Sequence, residues 1–122
     1  MPFSKMMGVE ITAAASSRVE GRLFVRPELC TAGGIMHGGA IMAFADALGA
    51  VGAFANLPQG ATGTTTIESK TNFLAAAPEG QTVTGVATPV SIGKRVSVWK
   101  TEIVREDGRQ VALVIQTQLV LG

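Results

Sequence analysis

Between Ala40 and Leu57 the chain carries a single charge, Asp46, in a run of alanine, leucine, isoleucine, methionine, phenylalanine, valine and glycine. The run predicts a helix from about Gly39 to Asn56, ended by Pro58-Gln59-Gly60. A helix apolar on every side needs cover on every side, which confines the chain to folds with a central helix. By length the run also passes for a membrane span. Asp46 near its centre, interrupting glycines from Gly38 to Gly52 and flanks without anchoring residues argue against that, and for a helix buried in protein.

What surrounds the helix reads mostly as strand. A short helical turn is expected within Met1–Gly8, and short strands at Val9–Ile11 and Glu20–Val25. Pro27–Met36, with Thr31, Gly33 and Gly34, reads as a loop. After the helix come four long Val/Thr-rich segments, 61–74, 81–92, 95–105 and 111–121. Asp107-Gly108 marks a hairpin turn between the last two, and Pro78-Glu79-Gly80 and Gly93 break the other joints. This order predicts an α+β fold in one domain, 1–122, with an antiparallel sheet curved around one long helix. A sheet covers only part of such a helix, so a second copy of the chain is expected to cover the rest.

Composition narrows the function. With 122 residues, 47% hydrophobic, and a formal net charge of +1, the chain has a core's worth of apolar side chains and no basic cluster beyond Lys94-Arg95. Nucleic acid is therefore not an expected partner. The single cysteine, Cys30, and single histidine, His37, offer no metal-ligand spacing, and neither a metal nor a cofactor is expected. The segment from Met1 to Lys5 lacks a signal-peptide pattern, which leads to the expectation of a cytoplasmic protein.

His37-Gly38-Gly39 stands where the helix begins. Free N–H groups at a helix start can hold a developing negative charge, and glycine lets a ligand approach the backbone closely. An unpartnered carboxylate in apolar surroundings is costly, so Asp46 needs donors, a shifted pKa or a use. Donors at the helix start with an acid further along point to acyl-group chemistry. His37 and Asp46 are nine positions apart, about 13 Å along one helix axis, too far to serve one reacting carbon. Two helices packed antiparallel would bring the Gly38 N–H of one subunit to Asp46 of the other.

These residues resemble the hotdog-fold acyl-CoA thioesterases, most closely the phenylacetate-pathway type. The resemblance rests on His37-Gly38-Gly39 with an acid nine residues after the histidine. It extends through Thr65-Thr66-Ile67-Glu68, Asn72 to Ala77, and Gly93-Lys94-Arg95, so that element order matches across nearly the whole chain. It implies a hotdog fold, a homodimer or a homotetramer of two dimers, and hydrolysis of an aryl-, arylacetyl- or medium-chain acyl-CoA. Where the family commonly carries Asn or Gln six residues before the histidine, this chain has Thr31.

Asp46 is then the expected nucleophile or general base, and Gly38 the oxyanion donor. His37 has a positioning role, and Thr66, or next Thr65, bonds Asp46 or a water. Thr31 is the residue at the substrate-contacting position, Gly39 joins the substrate-binding backbone, and Lys94 and Arg95 meet the coenzyme A phosphates. Met36, Met42, Phe44 and Phe54 are candidates to line the acyl group and equally good core residues. The plain alternatives are a capping acid at Asp46, a tight-turn glycine at Gly38 and ordinary turn charges at Lys94-Arg95. Rival functions are a hotdog acyl-thioester dehydratase or hydratase, and a non-catalytic acyl-CoA or lipid-binding module.

Overall fold

The computed structural model describes residues 1–122. In chain order it contains α1 (Pro2–Met7), β1 (Glu10–Ala15), β2 (Arg18–Phe24), a 3-10 turn at Pro27–Leu29, α2 (Gly38–Ala55), β3 (Gly63–Phe73), β4 (Thr82–Ile92), β5 (Val96–Val104) and β6 (Gln110–Leu121). The six strands form one antiparallel sheet in the order β1-β2-β4-β5-β6-β3. Sequence reading placed the last four strands within two residues of these bounds. It made β1 and β2 too short and missed the 3-10 turn, because Ala13–Ala15 and Pro27–Leu29 carry no strong periodic signal.

Period-two alternation decides the inner face. Val19, Gly21 and Leu23 on β2, Val83, Gly85 and Ala87 on β4, Ser97, Trp99, Thr101 and Ile103 on β5, and Ala112, Val114, Gln116 and Gln118 on β6 are all buried. Helix α2 packs against every strand. It is long and apolar enough to cross a membrane by length and composition, yet its packing is that of a core helix.

Gly21 and Gly85 are paired across β2 and β4, and a Cβ at either would stand 2.7 or 2.6 Å from a Leu48 methyl carbon. Two missing side chains thus make the seat into which Phe44 and Leu48 of α2 settle. Both are fully buried, each contributing about 1.5–3 kcal/mol relative to exposure.

The sheet leaves one stripe of α2 open. Gly39, Ala43, Asp46, Ala50 and Phe54, at helical spacing, are all half-buried or exposed, and Phe54 is 64% exposed. Beside the stripe runs β3, whose outer edge pairs with no strand. The expected helix, apolar all round, is therefore covered on all sides but this one.

A β-bulge at Ile67 interrupts the β3–β6 ladder between Thr66 and Glu68. It reverses the parity of β3. Thr64 and Thr66 face α2 before it, while after it Ser69, Thr71 and Phe73 stand opposite the inward-facing Gln116, Val114 and Ala112. One extra residue therefore lets β3 present Thr66 to the middle of α2 and Phe73 to its start.

Candidate active site

Helix α2 begins at a histidine cap. His37 has extended backbone angles, and its Nδ1 accepts the Gly39 N–H at 2.8 Å. The His37 carbonyl accepts from Ala40 and Ile41, and its own N–H donates to the Leu29 carbonyl at 2.7 Å. Because Nδ1 is an acceptor, the neutral ring carries its proton on Nε2. His37 thus positions the helix start, and because it takes the Gly39 N–H, Gly39 has no free main-chain donor for the substrate-binding role expected of it.

The Gly38 N–H has no partner within the chain. Gly38 borders an apolar groove of about 400 Å³ lined by Ile35, Ile41, Phe73, Leu74 and Ala75 to Ala77. The Phe73 ring stands 3.2 Å from where a Cβ on Gly38 would be. A free donor at the positive end of an 18-residue helix, opening on an apolar groove, is suited to a carbonyl oxygen that gains negative charge.

Asp46 lies eight residues along α2 from Gly38, about 12 Å along the axis. It is half-buried on the open stripe. Its Oδ1 accepts the Thr66 hydroxyl at 2.6 Å and the Gln116 amide at 3.2 Å. Oδ2 accepts from no group of this chain. Behind Thr66 stands Gln118, whose Nε2 donates to the Thr66 oxygen at 2.5 Å and whose Oε1 accepts the Thr64 hydroxyl at 3.0 Å.

Of the residues singled out in the sequence, the structure joins Asp46 to Thr66 and His37 to Gly39, and leaves Thr65, Thr31, Lys94 and Arg95 apart from both pairs. Thr65, one position from Thr66, is exposed on the opposite face of β3. The Thr31 hydroxyl oxygen accepts the Gly33 N–H within its own loop at 3.2 Å, and the side chain is exposed there. Lys94 and Arg95 are exposed in the β4–β5 turn and form no ion pair. They line a surface depression of about 460 Å³ with residues 58–61, Leu119, Val120 and Gly122, beyond the C-terminal end of α2. Met36 and Phe44 are core, whereas Met42 and Phe54 are exposed. Gln116 and Gln118, which bond Asp46 and Thr66, are not among the residues the sequence singles out.

The model of the thioesterase superfamily matches residues 33–112, which spans the loop before α2 through the first residues of β6. Rv1847 of Mycobacterium tuberculosis is 29% identical over 114 residues, covering 92% of this chain and 81% of that protein. Its solved structure superposes with a TM-score of 0.94 at 26% identity, over 99% of this chain and 97% of that one. The 1,4-dihydroxy-2-naphthoyl-CoA hydrolase of Escherichia coli is 36% identical over 76 residues, 62% of this chain and 54% of that protein. The E. coli PaaI protein from the phenylacetic acid degradation operon, at 21% identity, shares the fold with a TM-score of 0.91 over 100% of this chain and 86% of that one. With a family match over most of its length and this architecture, the chain belongs to the thioesterase superfamily, as a hotdog-fold enzyme of the thioester hydrolase class.

Proposed function

We propose that this enzyme hydrolyses an acyl-CoA thioester in a site shared by two subunits, with Asp46 of one facing Gly38 of the other. The observation that carries the reading is Asp46 itself: a carboxylate held by two donors through one oxygen, with the other oxygen free, on the uncovered stripe of α2. A second copy packed antiparallel on that stripe covers Phe54 and Ala50 and brings a free Gly38 N–H beside Asp46. The unpaired edge of β3 flanks the stripe and offers main-chain groups to the same partner.

In that site the Gly38 N–H polarises the thioester carbonyl. Asp46 either attacks the acyl carbon directly, forming an anhydride that water then opens, or takes a proton from an attacking water. On both routes a C–O bond forms, the C–S bond breaks, and the coenzyme A thiolate that leaves takes a proton from solvent on the direct route or the one held by Asp46 on the general-base route. The groove beside Gly38 and Phe73 takes the acyl group, and Lys94 and Arg95 take the phosphates of coenzyme A. The naphthoyl-CoA hydrolase among the relatives supports a coenzyme A ester as the substrate class.

The test is thiol release from acetyl-, hexanoyl-, palmitoyl-, benzoyl- and phenylacetyl-CoA by wild type and Asp46→Asn. Release by wild type that collapses in Asp46→Asn is the expected result. Near wild-type turnover in the variant removes Asp46 from the mechanism, and no release by wild type with binding retained makes the protein a carrier of thioesters.

A further inference from the structure

Two glutamines face inward from β6, and both are fully buried. Glutamine is rarely placed so unless its amide has a task, because each polar atom left without a partner is costly there. The bonds fix the direction of the whole chain of donors. A carboxylate only accepts, so Thr66 spends its single proton on Asp46 and its oxygen must receive one from the Gln118 amide. That turns Gln118 Oε1 toward Thr64, whose hydroxyl proton is shared between it and the Leu119 carbonyl, each at 3.0 Å. Gln116 directs its amide at Asp46 in the same way, and the consequence is that its Oε1 is buried with no partner. Turning that amide over would set an oxygen against the carboxylate. The fold thus tolerates an orphaned carbonyl in its core to keep a donor on Asp46 Oδ1.

We infer that Gln116 and Gln118 are positioning residues for the reaction. Gln116 donates directly, and Gln118 acts through Thr66, so that Oδ1 is pinned by donors on β6 and β3 while Oδ2 is left as the reacting oxygen. Oδ2 alone accepts no bond within the chain, and Asp46 stands half-buried on the open stripe where substrate is proposed to lie. The inference rests on the assignment of Asp46 as the reacting carboxylate. It adds a direction to that carboxylate and assigns it to two residues outside the helix and outside the His37-Gly38-Gly39 segment.

Gln116→Met and Gln118→Met keep the side-chain length and remove the amide. Each is expected to lower kcat by roughly tenfold to a hundredfold, the rate equivalent of losing a hydrogen bond to a charged group. The KM for the best acyl-CoA should stay within about twofold, since neither side chain reaches substrate. In an Asp46→Asn background neither substitution should cost any further turnover, because both act only through Asp46. Unchanged kcat in the single variants, or an equal loss with and without Asp46, overturns the inference while leaving Asp46 as the reacting group. Full turnover in Asp46→Asn alone overturns both. Should either Met variant fail to fold, the side-chain amide resonances of glutamine-labelled wild type and Asp46→Asn decide the matter. Those of Gln116 and Gln118 must move, and resonances that stay in place refute the relay.

Discussion

Gln116 occupies the space that a side chain at Gly49 would need. A Cβ built on Gly49 would stand 2.3 Å from Gln116 Oε1 and 2.4 Å from its Cδ. The absence of that Cβ is what lets β6 lie close enough to α2 for the Gln116 amide to reach Asp46, one helical turn before Gly49. The same approach leaves Gln116 Oε1 dry, so a single close contact accounts for both the bond and the orphan.

Gly49→Ala therefore sets two effects against each other. Helix propensity favours alanine by about 1 kcal/mol. Overpacking a filled core costs about 1–3 kcal/mol. With three Gln116 atoms within 2.7 Å of the new methyl, overpacking wins. Thermal unfolding should show a net loss of about 1 kcal/mol, and thiol release should fall as Gln116 is pushed off Asp46. A variant more stable than wild type and fully active would mean that Gln116 has room to move without consequence.

Thr66→Val removes the hydroxyl and keeps the shape. It takes a donor from Asp46 and leaves the buried Gln118 amide without its acceptor. Turnover should drop by roughly tenfold to a hundredfold, and stability by about 1–3 kcal/mol for the stranded amide. Thr66→Ser, which restores the hydroxyl, should recover most of both. A serine variant as impaired as the valine one would shift the role of Thr66 from its hydroxyl to its methyl.

The sequence made the scaffold readable and half of the site. An apolar helix with His37-Gly38-Gly39 at its start, followed by four strand-length segments with turn residues between them, leaves few architectures open. Asp46 stood out because it was alone. Gln116 and Gln118 did not, because in a run of valine, isoleucine, threonine and leucine they read as ordinary strand polarity. The signal was present in the parity: positions 112, 114, 116 and 118 share one face, and Ala112 and Val114 on that face are core. The sequence ranks Thr66 ahead of Thr65, whereas the strand's face is what separates them, and the bulge at Ile67 that reverses that face leaves no mark in composition. Thr31 is a candidate only through the resemblance, by its place six residues before His37, and Gly39 by its place beside Gly38, whereas their bonding is set by the local turn and the helix cap.

Acid should weaken the β5–β6 hairpin through Asp107. Its carboxylate accepts from the Arg105 guanidinium at 2.9 and 3.1 Å and from the Arg109 N–H at 2.9 Å. The Arg105 bond foremost, then the backbone bond, hold its pKa below the ordinary aspartate value. A carboxylate whose pKa is lowered by folding stabilises the native state above its unfolded pKa and loses that contribution as pH falls through the folded value. Asp107→Asn should therefore melt below wild type at neutral pH, with the two curves converging as pH falls below the ordinary aspartate value. The site is exposed, so the gap is expected to be small and to shrink in salt. A gap that stays constant down to low pH would mean that the charge of Asp107 plays no part.

Sharing of the site between subunits is open to a direct test, because the two groups it needs lie on one helix and cannot meet within one chain. Gly38→Pro deletes the N–H while respecting the helix. Proline is favoured at the first helical position, and His37, at ψ 138°, already has the extended backbone that a residue before proline requires. Each of Gly38→Pro and Asp46→Asn should keep only residual activity as a pure oligomer. In a mixed dimer, the Asp46→Asn chain supplies an intact Gly38 and the Gly38→Pro chain an intact Asp46, so one of the two sites is whole. Co-expressed with different tags and purified through both, such dimers should recover about half of the wild-type turnover per dimer, by the count of intact sites. Mixed dimers with no activity, formed from chains whose melting temperatures match wild type, would return the chemistry to a single subunit and separate Gly38 from Asp46.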